Sequence, residues 1–186
     1  MSVLGDRPAF PIEASGLRII ESQRSSLIIV RAGEASLSAL GQALGIEMPI
    51  QPLTSSHAGD IAVLWQGPAE WLVISPAEGA DDLLAGLRRS AGPDPVALVE
   101  VGDAFQGFVL EGGETETLLS MGCRLDFHET VAPQGFATRT ALAKADVILW
   151  RRESERFSVW CRRSFADYLR LWFADAARGL RAQAPG

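Results

Sequence analysis

Apolar residues recur along this chain with two different periods, and the alternation between them predicts strands and helices in turn. Residues 27–30, Leu-Ile-Ile-Val, form a short β-branched run that predicts a strand. Leu37, Leu40, Gly41 and Leu44 fall at helical spacing and stop at Gly45, which predicts a short helix. Residues 47–60 hold Pro49, Pro52 and two serines and predict a loop. Residues 61–65 and 71–74 predict two strands, with only a hairpin connection between them. Leu83, Leu84, Leu87 and Ala91 then mark a helical face. Asp81 and Asp82 open this helix and Arg88 and Arg89 end it, as the helix dipole favours, and Gly92-Pro93 supplies a stop. Residues 96–101 and 105–111 predict strands on either side of a turn at Gly102-Asp103.

The second half repeats this order. Gly112-Gly113 opens a short helix through Leu118 and Leu119, and a loop runs through residues 125–133. Residues 136–143 and 147–150 predict a paired couple of strands, and 157–160 another. A helix follows from Ser164, with Phe165, Tyr168, Leu169, Trp172, Phe173 and Ala176 on one face and Gly179 as its end. Ser164 with Asp167 fits a capping-box pattern. Leu64-Trp65 before one hairpin turn echoes Leu149-Trp150 before the other, and each hairpin runs into a helix. Two copies are too few for a solenoid. They predict an α+β fold of pseudo-duplicated antiparallel sheets with packed helices. The expected organisation is an irregular arm over 1–16, one domain over 17–180 in two similar halves (17–102 and 103–180), and a tail over 181–186.

Composition narrows the function without naming it. A chain of 186 residues with 47% hydrophobic and 22% charged residues can bury a sizeable core. A net charge of −6 disfavours nucleic acid and anionic lipid as partners. No signal-peptide pattern and no apolar run of about 18 residues are visible, so a cytoplasmic protein with no membrane partner is expected. In that compartment Cys123 and Cys161 are expected to be reduced.

Candidate chemistry is sparse. The chain contains no G-x-G-x-x-G and no G-x-x-x-x-G-K-[ST]. Gly112-Gly113 could hold an anion at a helix start, but Glu111, Glu114 and Glu116 surround it with like charge. His57 and His128 lie far apart in sequence and have no metal-ligand spacing. Cys123 and His128 could in principle pair as nucleophile and base, but Gly122-Cys123 reads more simply as a helix end turning into the core. No catalytic residue and no metal ligand is expected.

Four segments carry a family resemblance. They are Gly67-Pro68-Ala69-Glu70-Trp71-Leu72-Val73, Gly122-Cys123-Arg124-Leu125-Asp126-Phe127, Gly135-Phe136-Ala137-Thr138-Arg139-Thr140, and the run from Phe157 through Arg162-Arg163-Ser164-Phe165-Ala166-Asp167-Tyr168-Leu169. In this order and spacing, over residues 67 to about 176, the chain resembles the gamma subunit of heterotetrameric sarcosine oxidase. Arg124 stands where that family often has Pro. The resemblance implies the folate-binding part of the glycine cleavage T-protein (aminomethyltransferase) fold. It implies a non-catalytic subunit of a complex that demethylates sarcosine oxidatively to glycine and passes the one-carbon unit to tetrahydrofolate or releases formaldehyde. FAD, FMN and NAD would be bound by the other chains, chiefly the large flavin-binding one as partner, and no cofactor by this chain alone. The alternative is a stand-alone T-protein-like folate-binding one-carbon protein. The chain lacks the K-G-C-x-x-G-Q segment of related iron–sulfur maintenance proteins and the additional barrel of a full T-protein.

Five residues stand out as candidates under this resemblance. Asp103 is either a turn aspartate bonding its own backbone or a carboxylate facing the cavity of such a fold. Arg139 shares a strand face with Ala137 and Ala141 and suits either a salt bridge to a partner chain or a packed position on the sheet. Trp65, Trp71 and Trp150 lie at strand ends together with Trp160, and one sheet face cannot bury all of them. Trp65, Trp71, Arg139 and Trp150 are therefore the expected interface residues.

Overall fold

The apolar runs become eleven strands and four helices in the computed structural model, which describes residues 8–14, 16–91 and 95–183, and side chains up to residue 180. The strands of the first part are β1 (Ile12–Ala14), β2 (Leu17–Glu21), β3 (Ser25–Arg31), β4 (Ser55–Ala58), β5 (Ile61–Gly67), β6 (Glu70–Pro76) and β7 (Ala97–Glu100). Helix α1 (Glu34–Leu44) follows β3, and α2 (Ala80–Ser90) follows β6. Later come β8 (Phe105–Glu111), α3 (Thr115–Ser120), β9 (Ala137–Leu142), β10 (Ala145–Glu153), β11 (Arg156–Arg162) and α4 (Ala166–Gln183).

The chain divides into two compact units. One holds residues 23–104 with 135–138, and the other holds the chain up to 22 with 105–134 and 139 onward. The first unit is built on a five-stranded sheet of order β4-β5-β6-β3-β7, antiparallel throughout. Strand alternation places Ile28, Val30, Val63, Trp71 and Val73 on one face of it. They bury against Leu40 and Leu44 of α1 and Leu87 of α2. Gly45 ends α1 at φ 65°, and its N–H bonds Gln42 O; a β-carbon would be strained in that left-handed conformation.

The second unit repeats the plan with a six-stranded sheet of order β1-β2-β8-β11-β10-β9. Phe173 of α4 packs edge-on against Phe108 of β8, with ring centroids 5.2 Å apart. Leu169, Phe173, Ala177 and Leu180 form the buried stripe of α4. The two hairpins match in register. Trp65 pairs with Trp71 and Gly67 with Glu70, with an irregularity between. Arg151 pairs with Phe157 and Glu153 with Arg156, with an irregularity between. Trp65 thus corresponds to Arg151 and Trp71 to Phe157. The sequence echo of Leu64-Trp65 with Leu149-Trp150 is one residue out, and a one-residue slip exchanges sheet faces.

Several expectations change. The arm over 1–16 contains β1, where Ile12 is buried and pairs with Ile19; three residues are too few to show a period. Strand β2 pairs with β8, so residues 17–21 belong to the second sheet and not to a first half over 17–102. The loop over 47–60 contains β4, whose Ser-Ser-His-Ala sequence shows no apolar alternation at a sheet edge. Helix α4 continues past Gly179 to Gln183, so residues 181–183 of the tail are helical, while 184–186 lie outside the described residues. At its start Ser164 forms no capping box: Arg163–Phe165 make a 3-10 turn with no side-chain cap, and Asp167 bonds Arg170 instead. Phe165 is exposed and not a core residue. The stop at Gly92-Pro93 falls outside the described residues.

Gly122 joins α3 to this packing. A β-carbon there would lie 2.5 Å from Trp172 Cζ2 and 3.1 Å from Ala143 N. The Ala143 N–H also bonds Gly122 O at 2.8 Å. Gly122→Ala is therefore expected to cost about 1–3 kcal/mol in urea unfolding, as overpacking does. An unchanged midpoint would contradict this close approach.

Candidate functional site

The most connected polar group among the described residues is Arg151, at the turn-side end of β10 and 2% exposed. One Nη donates to Phe127 O and Ala132 O, each at 2.8 Å. The other donates to Glu116 Oε1 at 2.5 Å and Ser154 O at 2.6 Å. The guanidinium carbon lies 5.1 Å from the Phe157 ring centroid. All four Nη hydrogens are engaged, and only Nε has no acceptor. The Nη edge of the cation therefore has no donor left for a ligand, and the one unused N–H, on Nε, is buried. It ties α3, the 121–136 segment and the β10–β11 turn together. Sequence reasoning missed Arg151, because one arginine in an Arg-Arg-Glu-Ser-Glu run reads as a solvated turn.

Other charged groups serve the same end. Arg170 reaches Glu21 at 2.5 Å and Asp167 at 2.7 Å. The hydrogen bond to Glu21 is the largest influence holding Arg170 in its protonated form. The Glu100 carboxylate accepts from Gly102 N at 2.8 Å, Leu27 N at 3.3 Å and Ser26 Oγ at 3.3 Å. Arg156 lies 3.1 Å from Glu111, which belongs to the acidic run around Gly112-Gly113. The N–H of Glu114 bonds Gly16 O, so backbone occupies the start of α3.

The other expected candidates are not brought together as a site. Asp103 is exposed in a 3-10 turn and ion-paired with Arg24. Arg139 is exposed on β9, an edge strand. Cys123 is buried 3.6 Å from Thr140 Oγ1, while His128 is exposed with Nδ1 2.8 Å from Thr130 Oγ1. Among the described residues no three of His, Cys, Asp and Glu gather as metal ligands, and no helix is long and apolar enough to cross a membrane.

The tryptophans are a correction. Trp71 is buried and donates Nε1–H to Pro49 O at 2.7 Å. Trp150 is buried, with Arg152 stacked 5.0 Å from its ring centroid. Trp65 is half-buried against the first unit's core. The expectation assumed one buried face per sheet, but Trp150 and Trp160, on the face of β10 and β11 opposite Phe157, are buried too. Exposure falls instead on Ile50, Leu53 and Val99 in one unit and Met121, Val131 and Phe165 in the other. Ile50, Leu53, Met121 and Val131 lie outside helices and strands and gave no periodic signal, Val99 lies on β7, and Phe165 falls in the 3-10 turn before α4.

Both cysteines are free and buried. Burial pushes the Cys161 thiol up from 9.0 to about 11, and the nearby Arg170 charge offsets only part of this. Between those values the unfolded chain loses the proton and the folded chain keeps it. Stability conferred by the neutral buried thiol is full below pH 9 and falls as pH rises towards 11. Cys161→Ala should flatten the fall in urea-unfolding stability over that window; an unchanged slope would contradict the shift.

Comparison with known proteins gives these elements a family. The model of the sarcosine oxidase, gamma subunit family matches residues 30–179. The sarcosine oxidase subunit gamma of Corynebacterium sp. (strain P-1) is 30% identical over 166 residues, covering 88% of this chain and 81% of that protein. A chain of the heterotetrameric sarcosine oxidase from Corynebacterium sp. U-96, solved with pyrrole 2-carboxylate, aligns with a TM-score of 0.85 and 25% identity, over 94% of this chain and 90% of that chain. The glycine cleavage system aminomethyltransferase T from Bartonella henselae aligns with a TM-score of 0.65 and 14% identity, over 89% of this chain and 50% of that one, which shows the fold alone. The four quoted segments lie within the matched residues, and the chain belongs to the sarcosine oxidase gamma subunit family.

Proposed function

We propose that this chain works as the non-catalytic gamma subunit of a four-chain sarcosine oxidase. The observation that carries this reading is a family match over residues 30–179, which takes in strands of both sheets. The complex converts sarcosine to glycine, with the one-carbon unit passed to tetrahydrofolate or released as formaldehyde. FAD, FMN and NAD belong to the other chains, the large flavin-binding subunit is the main contact, and the complex works in the cytoplasm. Two features support a structural role for this chain. Arg151, Arg156 and Arg170 are engaged in ion pairs within the chain, and both thiols are buried. The six exposed aliphatic and aromatic side chains supply apolar area for a permanent contact. The stand-alone folate-binding reading is weaker, since the chain covers half of the Bartonella aminomethyltransferase at 14% identity.

Co-expression with the three other subunits and affinity purification of this chain tests the reading. The expected result is recovery of all four chains and loss of sarcosine oxidation when this chain is deleted. Elution of this chain alone, with oxidation by the others unchanged, would overturn it.

A further inference from the structure

The repeat leaves one sheet edge unmatched. In the second unit β8 lies between β11 and β2, and β1 lies beyond β2. In the first unit β3 lies in the corresponding place between β6 and β7, and among the described residues no strand lies beyond β7. Strand β7 reads Ala97-Leu98-Val99-Glu100, and Val99 is 51% exposed. Its pairing fixes which backbone groups are open. Val101 donates its N–H to Leu27 O at 2.8 Å, and Val99 stands opposite Ile29. Antiparallel alternation turns the N–H and C=O groups of Leu98 and Glu100 away from β3.

Free edges normally carry a guard, because an open row of backbone groups templates pairing. The other edge strands hold a charged or polar ring side chain: Glu13 on β1, His57 on β4 and Arg139 on β9. Strand β7 has no Lys or Pro, and its one charge, Glu100, is drawn back to Gly102 N, Leu27 N and Ser26 Oγ. At the Ala97 end the edge runs into a cleft of about 530 Å³ walled by Ala32, Pro68, Ala69, Pro95 and Val96 and by the Arg31–Glu70 ion pair.

We propose that β7 receives an extended segment of a sister subunit as an added antiparallel strand, in the place that β1 holds beside β2. The inference rests on the subunit reading above. Main-chain bonds to Leu98 and Glu100 would hold the segment, and apolar side chains at alternate positions would cover Val99 and enter the cleft. A second copy of this chain is a poorer occupant, because each copy carries a net charge of −6.

Amide exchange of Leu98 and Glu100, in the free chain and in the assembled four-chain complex, tests this. Assembly should slow both amides at least tenfold. Leu98→Pro should weaken assembly at least tenfold beyond Leu98→Ala, because both lose the side chain and only proline loses the outward N–H. Should the proline variant not fold, the exchange measurement decides alone. A complex that forms while both amides exchange as in the free chain overturns the added strand and leaves the subunit reading standing. Slowing that appears in the free chain with rising concentration assigns the edge to a second copy and overturns it too. Failure of the four chains to assemble overturns both readings.

Discussion

Much of the second unit depends on one buried cation. Removing a guanidinium from water costs several kcal/mol, and Arg151 recovers this through a carboxylate, three carbonyls and an aromatic face. The 16 residues from 121 to 136 contain no helix or strand, a length at which a loop needs its own reason for order. Arg151 supplies that reason by donating to two of the segment's carbonyls, those of Phe127 and Ala132. Phe127, one of these, also packs edge-on against Phe157, so the polar and apolar anchors coincide. Glu116 and Ser154 connect the same point to α3 and the hairpin turn.

The repeat explains why this position can hold an arginine. The corresponding residue of the first unit is Trp65, which faces the helices beside Trp71. A large flat group fills the place in both units. In the first it is an indole, and in the second a guanidinium stacked on Phe157, the counterpart of Trp71. The family segments are parts of this scaffold. Gly67-Pro68-Ala69-Glu70-Trp71 makes the hairpin turn, with Ala69 at φ 61° and its carbonyl accepting from Ala32 N. Gly122 lets Trp172 approach, and Ser55 Oγ donates to Gly135 O at 2.8 Å. These residues build the scaffold, and the family signal lies in them.

That division sets how much was legible in the sequence. Strands β3, β5, β6, β8, β10 and β11 and all four helices show in apolar periodicity, because each buries a regular face. Strands β1 and β4 do not, since a three-residue strand has no period and Ser55-Ser56-His57-Ala58 is polar at an edge. The placement of β2 beside β8 is a long-range pairing that no local pattern encodes. Trp71 and Trp150 read as surplus because periodicity reports that a face is apolar but not how many faces are covered. Arg151 stayed hidden for a related reason: three of its four acceptors are backbone carbonyls, and carbonyls leave no trace in residue types.

Amide exchange across residues 121–136 in Arg151→Met tests most directly whether this cation organises the second unit. The informative amides are Val131 and Ala132, both bonded to His128 O, and His128, bonded to Asp126. The account predicts that they lose protection at least tenfold while the first unit's strands keep theirs, with global stability lowered by roughly 3–5 kcal/mol. Unchanged protection in this segment, with stability preserved, would contradict it.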